Sequence, residues 1–227
     1  MLLYYITDRF QFTGDETARR SRLLATLAEA ARCGVDYIQL REKDLSTREL
    51  EILAREAVQH LRTENPKLKT VFLINSRTDI ALASGAQGVH LRSSDISPSE
   101  VKKIWTLSGC TLPLTVGVSC HSRVEVARAA QEGADFAVFG PVFEKERGHS
   151  RPAGLEALRE ACQEKIPVLA LGGITLENAE ACMQAGAAGI AAIRLFQQNE
   201  IGKVVAALCG SKADVRRQTS ADPKADA

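Results

Sequence analysis

The sequence predicts a single-domain α/β protein, specifically a (β/α)8 TIM barrel. Three observations predict it. Short β-branched apolar runs alternate with longer segments of helical period. The runs are continuous rather than alternating, as in parallel strands buried on both faces. A signature of helix end, glycine and strand also recurs four times, as AARCGVDYIQLR, ALASGAQGVHLR, AAQEGADFAVFG and CMQAGAAGIAAIR. Its glycines (Gly34, Gly85, Gly133 and Gly186) lie 51, 48 and 53 residues apart. One βα unit needs about half that length, so each period holds two units and four periods hold eight. An open doubly wound sheet is the competing architecture, but the G-x-G-x-x-G turn expected after its first strand is missing.

The elements follow in order. The first strand is expected at Leu3–Thr7, and the helix after it at Thr17–Cys33, with Leu23, Leu24, Leu27, Ala28 and Ala31 on one face. Tyr37–Leu40 is the second strand. The helix Thr47–Leu61 follows, with Leu50, Leu53, Ala54, Ala57 and Leu61 at helical spacing. The remaining strands are expected at Val71–Asn75, Gly88–Leu91, Leu114–Val118, Phe136–Phe139, Val168–Leu171 and Gly189–Ile193. Between and after them come helices at Arg77–Ser84, Pro98–Leu107, Arg123–Glu132, Leu155–Glu164, Leu176–Ala185 and Gly202–Leu208. Ser46, Ser97, Ser122 and Thr175 stand where side-chain caps should start helices. The four repeat glycines stand where helices must stop with positive φ. The barrel is expected over residues 1–210. The stretch 211–227 has one strong apolar residue, Val215, and reads as a disordered tail.

Composition narrows the function. The chain has 227 residues, 45% hydrophobic and 25% charged, with a formal net charge of +1. That balance gives no electrostatic reason to expect nucleic acid or a membrane surface. No apolar run reaches the ~18 residues of a membrane span, and the N-terminus has no signal-peptide pattern. None of the six cysteines forms a Cys-x-x-Cys pair. Reduced thiols in a cytoplasmic protein are the expectation.

In this architecture chemistry gathers at the C-terminal ends of the strands. Gln39, Arg41 and Lys43 end the second strand at alternate positions and so share a face. Two cations converging there suit a phosphate, Arg as a planar fork and Lys as a point charge. The competing reading pairs them with Glu42 or Asp44. Asn75 ends the third strand. His90 and Arg92 share a face of the fourth, with Asp95 after them. Ser119 and His121 share a face of the fifth, and Cys120 points the other way. His121 is a candidate for proton transfer near neutral pH, or a hydrogen-bonded structural residue. Gly172 and Gly173 after the seventh strand, and Arg194 after the eighth, fall where such barrels often cradle phosphate. A bare tight turn is the alternative for the glycines.

The motifs YYITD, YIQLREK, LINSRTDIAL, GVHL with Asp95, GVSCHS, FGPVF and LALGGIT resemble the thiamine phosphate synthase/TenI family, in register over about residues 3–209. The resemblance implies a (β/α)8 enzyme, a homodimer or larger, acting on small phosphorylated substrates. The synthase joins hydroxymethylpyrimidine pyrophosphate to a thiazole phosphate and releases pyrophosphate. It further implies that Gln39 holds the pyrimidine and that Arg41, Lys43 and Asn75 hold its pyrophosphate. Ser119 would touch the pyrimidine side, Gly172 the thiazole phosphate, and Asp95 a Mg2+ ion. The chain departs from the family pattern at four places. Ser76 replaces a second metal-binding Asp, Arg92 a Gly and Arg194 a Ser. The loop EKERGHSRPAG lacks a T-x-T-K stretch, and Lys145 or Arg147 could stand in for it. The first three changes each add a positive charge, and the loss of one carboxylate should weaken Mg2+. A TenI-type thiazole tautomerase, with His121 moving the proton, is the second reading. A non-catalytic barrel that binds a thiamine-related phosphate is the third.

Overall fold

The computed structural model describes residues 1–64, 69–144 and 151–210. The expected tail, Lys145 and Arg147 lie outside the described residues. Eight strands form a closed barrel in sequence order: β1 (Leu2–Ile6), β2 (Tyr37–Leu40), β3 (Val71–Asn75), β4 (Gly88–Leu91), β5 (Thr115–Cys120), β6 (Phe136–Phe139), β7 (Val168–Leu171) and β8 (Gly189–Ala192). Every neighbouring pair is parallel, and β8 closes on β1 with Leu2 beside Gly189. Closure leaves no strand edge to water.

Helices α1 (Glu16–Arg32), α2 (Thr47–Glu64), α3 (Thr78–Ser84), α4 (Pro98–Leu107), α5 (Arg123–Gln131), α6 (Gly154–Ala161) and α7 (Ala179–Gln184) connect the strands. Helices α8 (Arg194–Gln197) and α9 (Ile201–Cys209) follow β8. The repeat glycines do end helices: φ is 88° at Gly34, 73° at Gly85, 83° at Gly133 and 100° at Gly186. Ser97 makes a full capping box with Glu100, and Ser122 caps α5. The Ser46 hydroxyl accepts from the Glu49 N–H at 3.3 Å. Thr175 does not cap a helix. Its own N–H donates to the Asn178 side chain at 2.9 Å, so residues 175–178 form a turn and α7 starts at Ala179.

Strand alternation divides the core in two. Leu3, Tyr5, Ile38, Leu40, Ile74 and Cys120 face outward into the layer between strands and helices. Tyr4, Ile6, Leu73, Phe136, Val138, Leu169 and Ala191 fill the barrel itself. Both faces are dry, which is why the strands read as unbroken apolar runs. Phe136 stands in the middle of an aromatic group, 4.7 Å from the Tyr37 ring and edge-on to Tyr4 at 5.5 Å. Its ring occupies the place where a side chain at Gly117 would lie: a Cβ there would come within 2.4 Å of it. The barrel is therefore a plugged cylinder that offers a ligand the mouth at its C-terminal strand ends.

Candidate active site

The second strand builds the cationic side of the mouth. Gln39 is buried inside the barrel, and its Nε2 has no hydrogen-bond partner. Arg41 is half-buried and Lys43 is exposed above it. The pairing of these cations with Glu42 and Asp44 does not form, because another residue has taken both acids. Buried Arg9 donates to Glu42 at 3.1 Å, to Asp44 Oδ1 at 2.7 Å and to Glu16 at 2.8 Å. The Thr7 hydroxyl donates to Glu42 at 2.6 Å and accepts from the Arg41 N–H at 2.9 Å. Among the described residues, no carboxylate hydrogen-bonds the Arg41 or Lys43 side chain. Burial lowers the Arg41 pKa. Lys43 is also lowered, first by the charge of Arg41, then by burial, then by Arg92. That coupling places Arg92 of the β4 connection within electrostatic reach of Lys43, with β3 between them.

Asn75 ends β3 and donates to the Ser76 hydroxyl at 3.3 Å. Ser76 has φ 58°, unusual for a non-glycine residue, and its N–H donates to the His90 carbonyl at 2.8 Å. Asp95 is only 11% exposed and is held by Arg92. Arg92 Nε and Nη2 donate to Oδ1 at 3.0 and 2.8 Å, and its backbone N–H donates to Oδ2 at 2.8 Å. Burial alone would raise the Asp95 pKa, but hydrogen bonds from Arg92 and Ser76 outweigh it and hold the carboxyl low.

His90 lies inside the barrel, buried, between the Tyr4 hydroxyl at 3.0 Å on Nδ1 and Ser119 Oγ at 2.8 Å on Nε2. Burial first, and then the charge of Arg41, push its pKa down to about 3. It is a neutral linker that fixes the Ser119 hydroxyl. Cys120 faces outward, and burial pushes its thiol up to about 12, so it is no nucleophile. His121 is exposed. Its Nδ1 lies 2.6 Å from the Gly140 carbonyl and must carry the proton of that bond, which leaves Nε2 as the acceptor in the neutral ring.

The far side of the mouth is backbone. Gly172 and Gly173 have φ 100° and 63°. The Phe143 N–H donates to the Gly172 carbonyl at 3.0 Å, and Asn178 Nδ2 donates to the Gly173 carbonyl at 2.9 Å. A Cβ on Gly172 would lie 2.6 Å from Pro141 Cβ, so the turns after β6 and β7 are locked together only through glycine. Arg194 is half-buried at the start of α8. All the expected site residues thus sit at one end of the barrel: Gln39, Arg41, Lys43, Asn75, Arg92, Asp95, Ser119, His121, Gly172, Gly173 and Arg194. A groove of about 100 Å³ opens beside this mouth, lined by Arg92, Asp95, Cys120, Glu125 and Arg128 among others. The residue that the sequence reading missed is Arg9. It holds no ligand position, yet it sets which cations remain available. The only signal for it was an Arg two residues after a strand.

The chain matches the thiamine monophosphate synthase family over residues 3–196. It belongs to that family. It is 42% identical over 197 residues to the putative thiamine-phosphate synthase 2 of Aquifex aeolicus, covering 86% of this chain and 96% of the relative. It is 37% identical over 195 residues to the thiamine-phosphate synthase of Methanoculleus marisnigri, covering 84% of this chain and 85% of the relative. Among solved structures, the thiamine phosphate pyrophosphorylase from Pyrococcus furiosus superposes with a TM-score of 0.74 at 30% identity, covering 97% of each chain. Among the described residues, no helix is long and apolar enough to cross a membrane.

The family resemblance implies Mg2+, and the donor set at this mouth does not fit it. Mg2+ needs oxygen ligands, usually one or two free carboxylates beside substrate phosphates. Ser76 supplies no carboxylate, and Asp95 is already bound by a guanidinium. Among the described residues, no three His, Cys, Asp or Glu side chains cluster to hold a metal.

Proposed function

We propose that this chain is a thiamine-phosphate synthase, joining hydroxymethylpyrimidine pyrophosphate to a thiazole phosphate. The observation that carries the reading is the pair Arg41 and Lys43, neither hydrogen-bonded to a carboxylate among the described residues, beside buried Gln39 with its unpartnered Nε2, at the same mouth as the Gly172–Gly173 turn. In this reading Gln39 and Ser119 receive the polar edge of the pyrimidine, with the Ser119 hydroxyl oriented by His90. Arg41, Lys43 and Asn75 bind the pyrophosphate. Gly172 and Gly173 bring backbone against the thiazole phosphate, and Arg194 adds charge nearby. The C–O bond to pyrophosphate breaks and the leaving group departs with the electron pair. The thiazole nitrogen lone pair then forms the new C–N bond at the carbon left behind.

The residues contribute by stabilising the departing anion and by orientation rather than by taking a proton. Positive groups fixed in a partly buried mouth need no reorganisation as the charge develops. His121, exposed and tied to Gly140, has no proton to move in that reaction. A homodimer and a cytoplasmic setting go with the reading through the family resemblance.

Incubating the protein with both substrates and following thiamine phosphate tests it. Product formation that falls at least ~100-fold in Arg41→Ala is expected. Turnover of a thiazole tautomer that His121→Ala abolishes, with no thiamine phosphate formed, would instead establish the tautomerase. Product binding without turnover of any substrate would establish a binding barrel.

A further inference from the structure

We propose that this chain anchors pyrophosphate with Arg92, held in place by Asp95, and that binding needs no divalent metal. The inference rests on the synthase reading and concerns the same site.

Among the described residues, the carboxylates around the cationic side of the mouth are held by other groups of the chain. Asp8 accepts from the Phe10 N–H at 3.3 Å and from Gln11 Nε2 at 3.0 Å. Glu42 and Asp44 are held by Arg9. Glu125 accepts from the His121 N–H at 2.5 Å. Asp95 takes three hydrogen bonds from Arg92. The cations are not committed in the same way. Arg41 and Lys43 have no hydrogen-bonded acid among the described residues, and Lys43 feels Arg41 and Arg92 as repulsion that Asp8 offsets only in part. A dication brought to Asp95 would have to displace a guanidinium and settle among three positive groups. An anion relieves the same repulsion.

Arg92 is built for that anion. Its side chain is 66% exposed although one edge is pinned. Nε and Nη2 are spent on Asp95, and the Nη1 edge remains for phosphate oxygens, with the planar fork already oriented. Asp95 is thereby a positioning residue rather than a metal ligand.

The test is titration calorimetry with inorganic pyrophosphate, in EDTA and in Mg2+, on the wild-type chain, Arg92→Ala, Arg92→Lys and Asp95→Asn. Wild type is expected to bind in EDTA within about threefold of its affinity in Mg2+. Arg92→Ala should weaken binding in EDTA by roughly tenfold or more, as for loss of charge-assisted hydrogen bonds. Arg92→Lys should recover part of it, which separates charge from any folding defect. Asp95→Asn should weaken binding several-fold and equally in both buffers. Binding seen only with Mg2+, an Asp95→Asn loss confined to Mg2+, or unchanged affinity in Arg92→Ala each overturns the proposal. Turnover assays on the same samples separate the two failures. Thiamine phosphate made only with Mg2+ sinks the metal-free site and leaves the synthase reading. Pyrophosphate bound in EDTA without any thiamine phosphate formed does the reverse.

Discussion

His90 joins the plugged interior of the barrel to its reactive end, and its chemistry follows from enclosure. A buried imidazole between two hydroxyls is stable only while neutral, which is why its pKa sits near 3. In the unfolded chain the same ring protonates near 6.5. The native state therefore binds fewer protons than the unfolded state between those values. The stabilisation is fully present above about 6.5 and is lost progressively as pH falls toward 3, at ~1.4 kcal/mol per pH unit. Urea unfolding at pH 7 and 4.5 should show wild type losing roughly 2–3 kcal/mol from this group, a loss absent in His90→Gln. Equal pH slopes in the two proteins would refute it. Lys43 gives the complementary effect on the alkaline side. Its pKa is lowered by Arg41, burial and Arg92, so pyrophosphate affinity should begin to fall below the ordinary lysine range. Lys43→Arg should move that limb upward in a pH series of binding titrations. At this scale the sequence told half the story. The period-2 rule placed Gln39, Arg41 and Lys43 on one face, and Ser119 and His121 on another. It could not foresee that Arg9 would claim Glu42 and Asp44, because that pairing depends on a side chain crossing from the turn after the first strand.

The elements were more legible than their ends. Strands were expected within one or two residues because their hydrophobicity is dictated by two buried faces, a condition that does not depend on partners. Helix stops were found because a left-handed terminal residue demands glycine. The misses are local turns whose geometry is set by tertiary contacts. The 3-10 turn Arg9–Gln11 is shaped by Asp8 and by the Arg9 ion pairs, and α8 has only four residues. Thr175 looked like a cap but yields that place to a turn built on Asn178. The two hydroxyls should therefore respond differently to alanine. Ser97→Ala removes a capping box and should cost about 1 kcal/mol in chemical unfolding. Thr175→Ala should stay within about 0.5 kcal/mol, as for an exposed position away from such features. A Thr175 effect as large as that of Ser97 would contradict the turn. Gly172→Ala tests the element that frames the phosphate side. With φ 100° and Pro141 in the way, the substitution should cost about 1–3 kcal/mol and raise the KM for the thiazole phosphate.

On the scale of the whole barrel, stability and chemistry occupy opposite ends of one cylinder. Closure at Leu2 beside Gly189 removes every strand edge, and the interior below the mouth is packed with rings. Phe136 is the centre of that plug, touching Tyr4 and Tyr37 and lying 6.2 Å from the His90 ring. It contributes no polar group to the mouth, so its role is to hold the cylinder rigid beneath the ligand. Truncating it removes buried area and leaves a void that the surrounding strands, locked in a closed ladder, have little freedom to fill. Phe136→Ala should accordingly lower stability by ~3–5 kcal/mol, and Phe136→Leu by less, since more of the volume is retained. Measured below the unfolding midpoint of each variant, the KM values for both substrates should stay within about twofold of wild type, because no substrate contact has been removed. Arg41→Ala should show the opposite pattern, with thermal stability near wild type and turnover lost. If Phe136→Leu keeps its stability but loses substrate affinity, the plug reaches into the site and the division between the two ends fails.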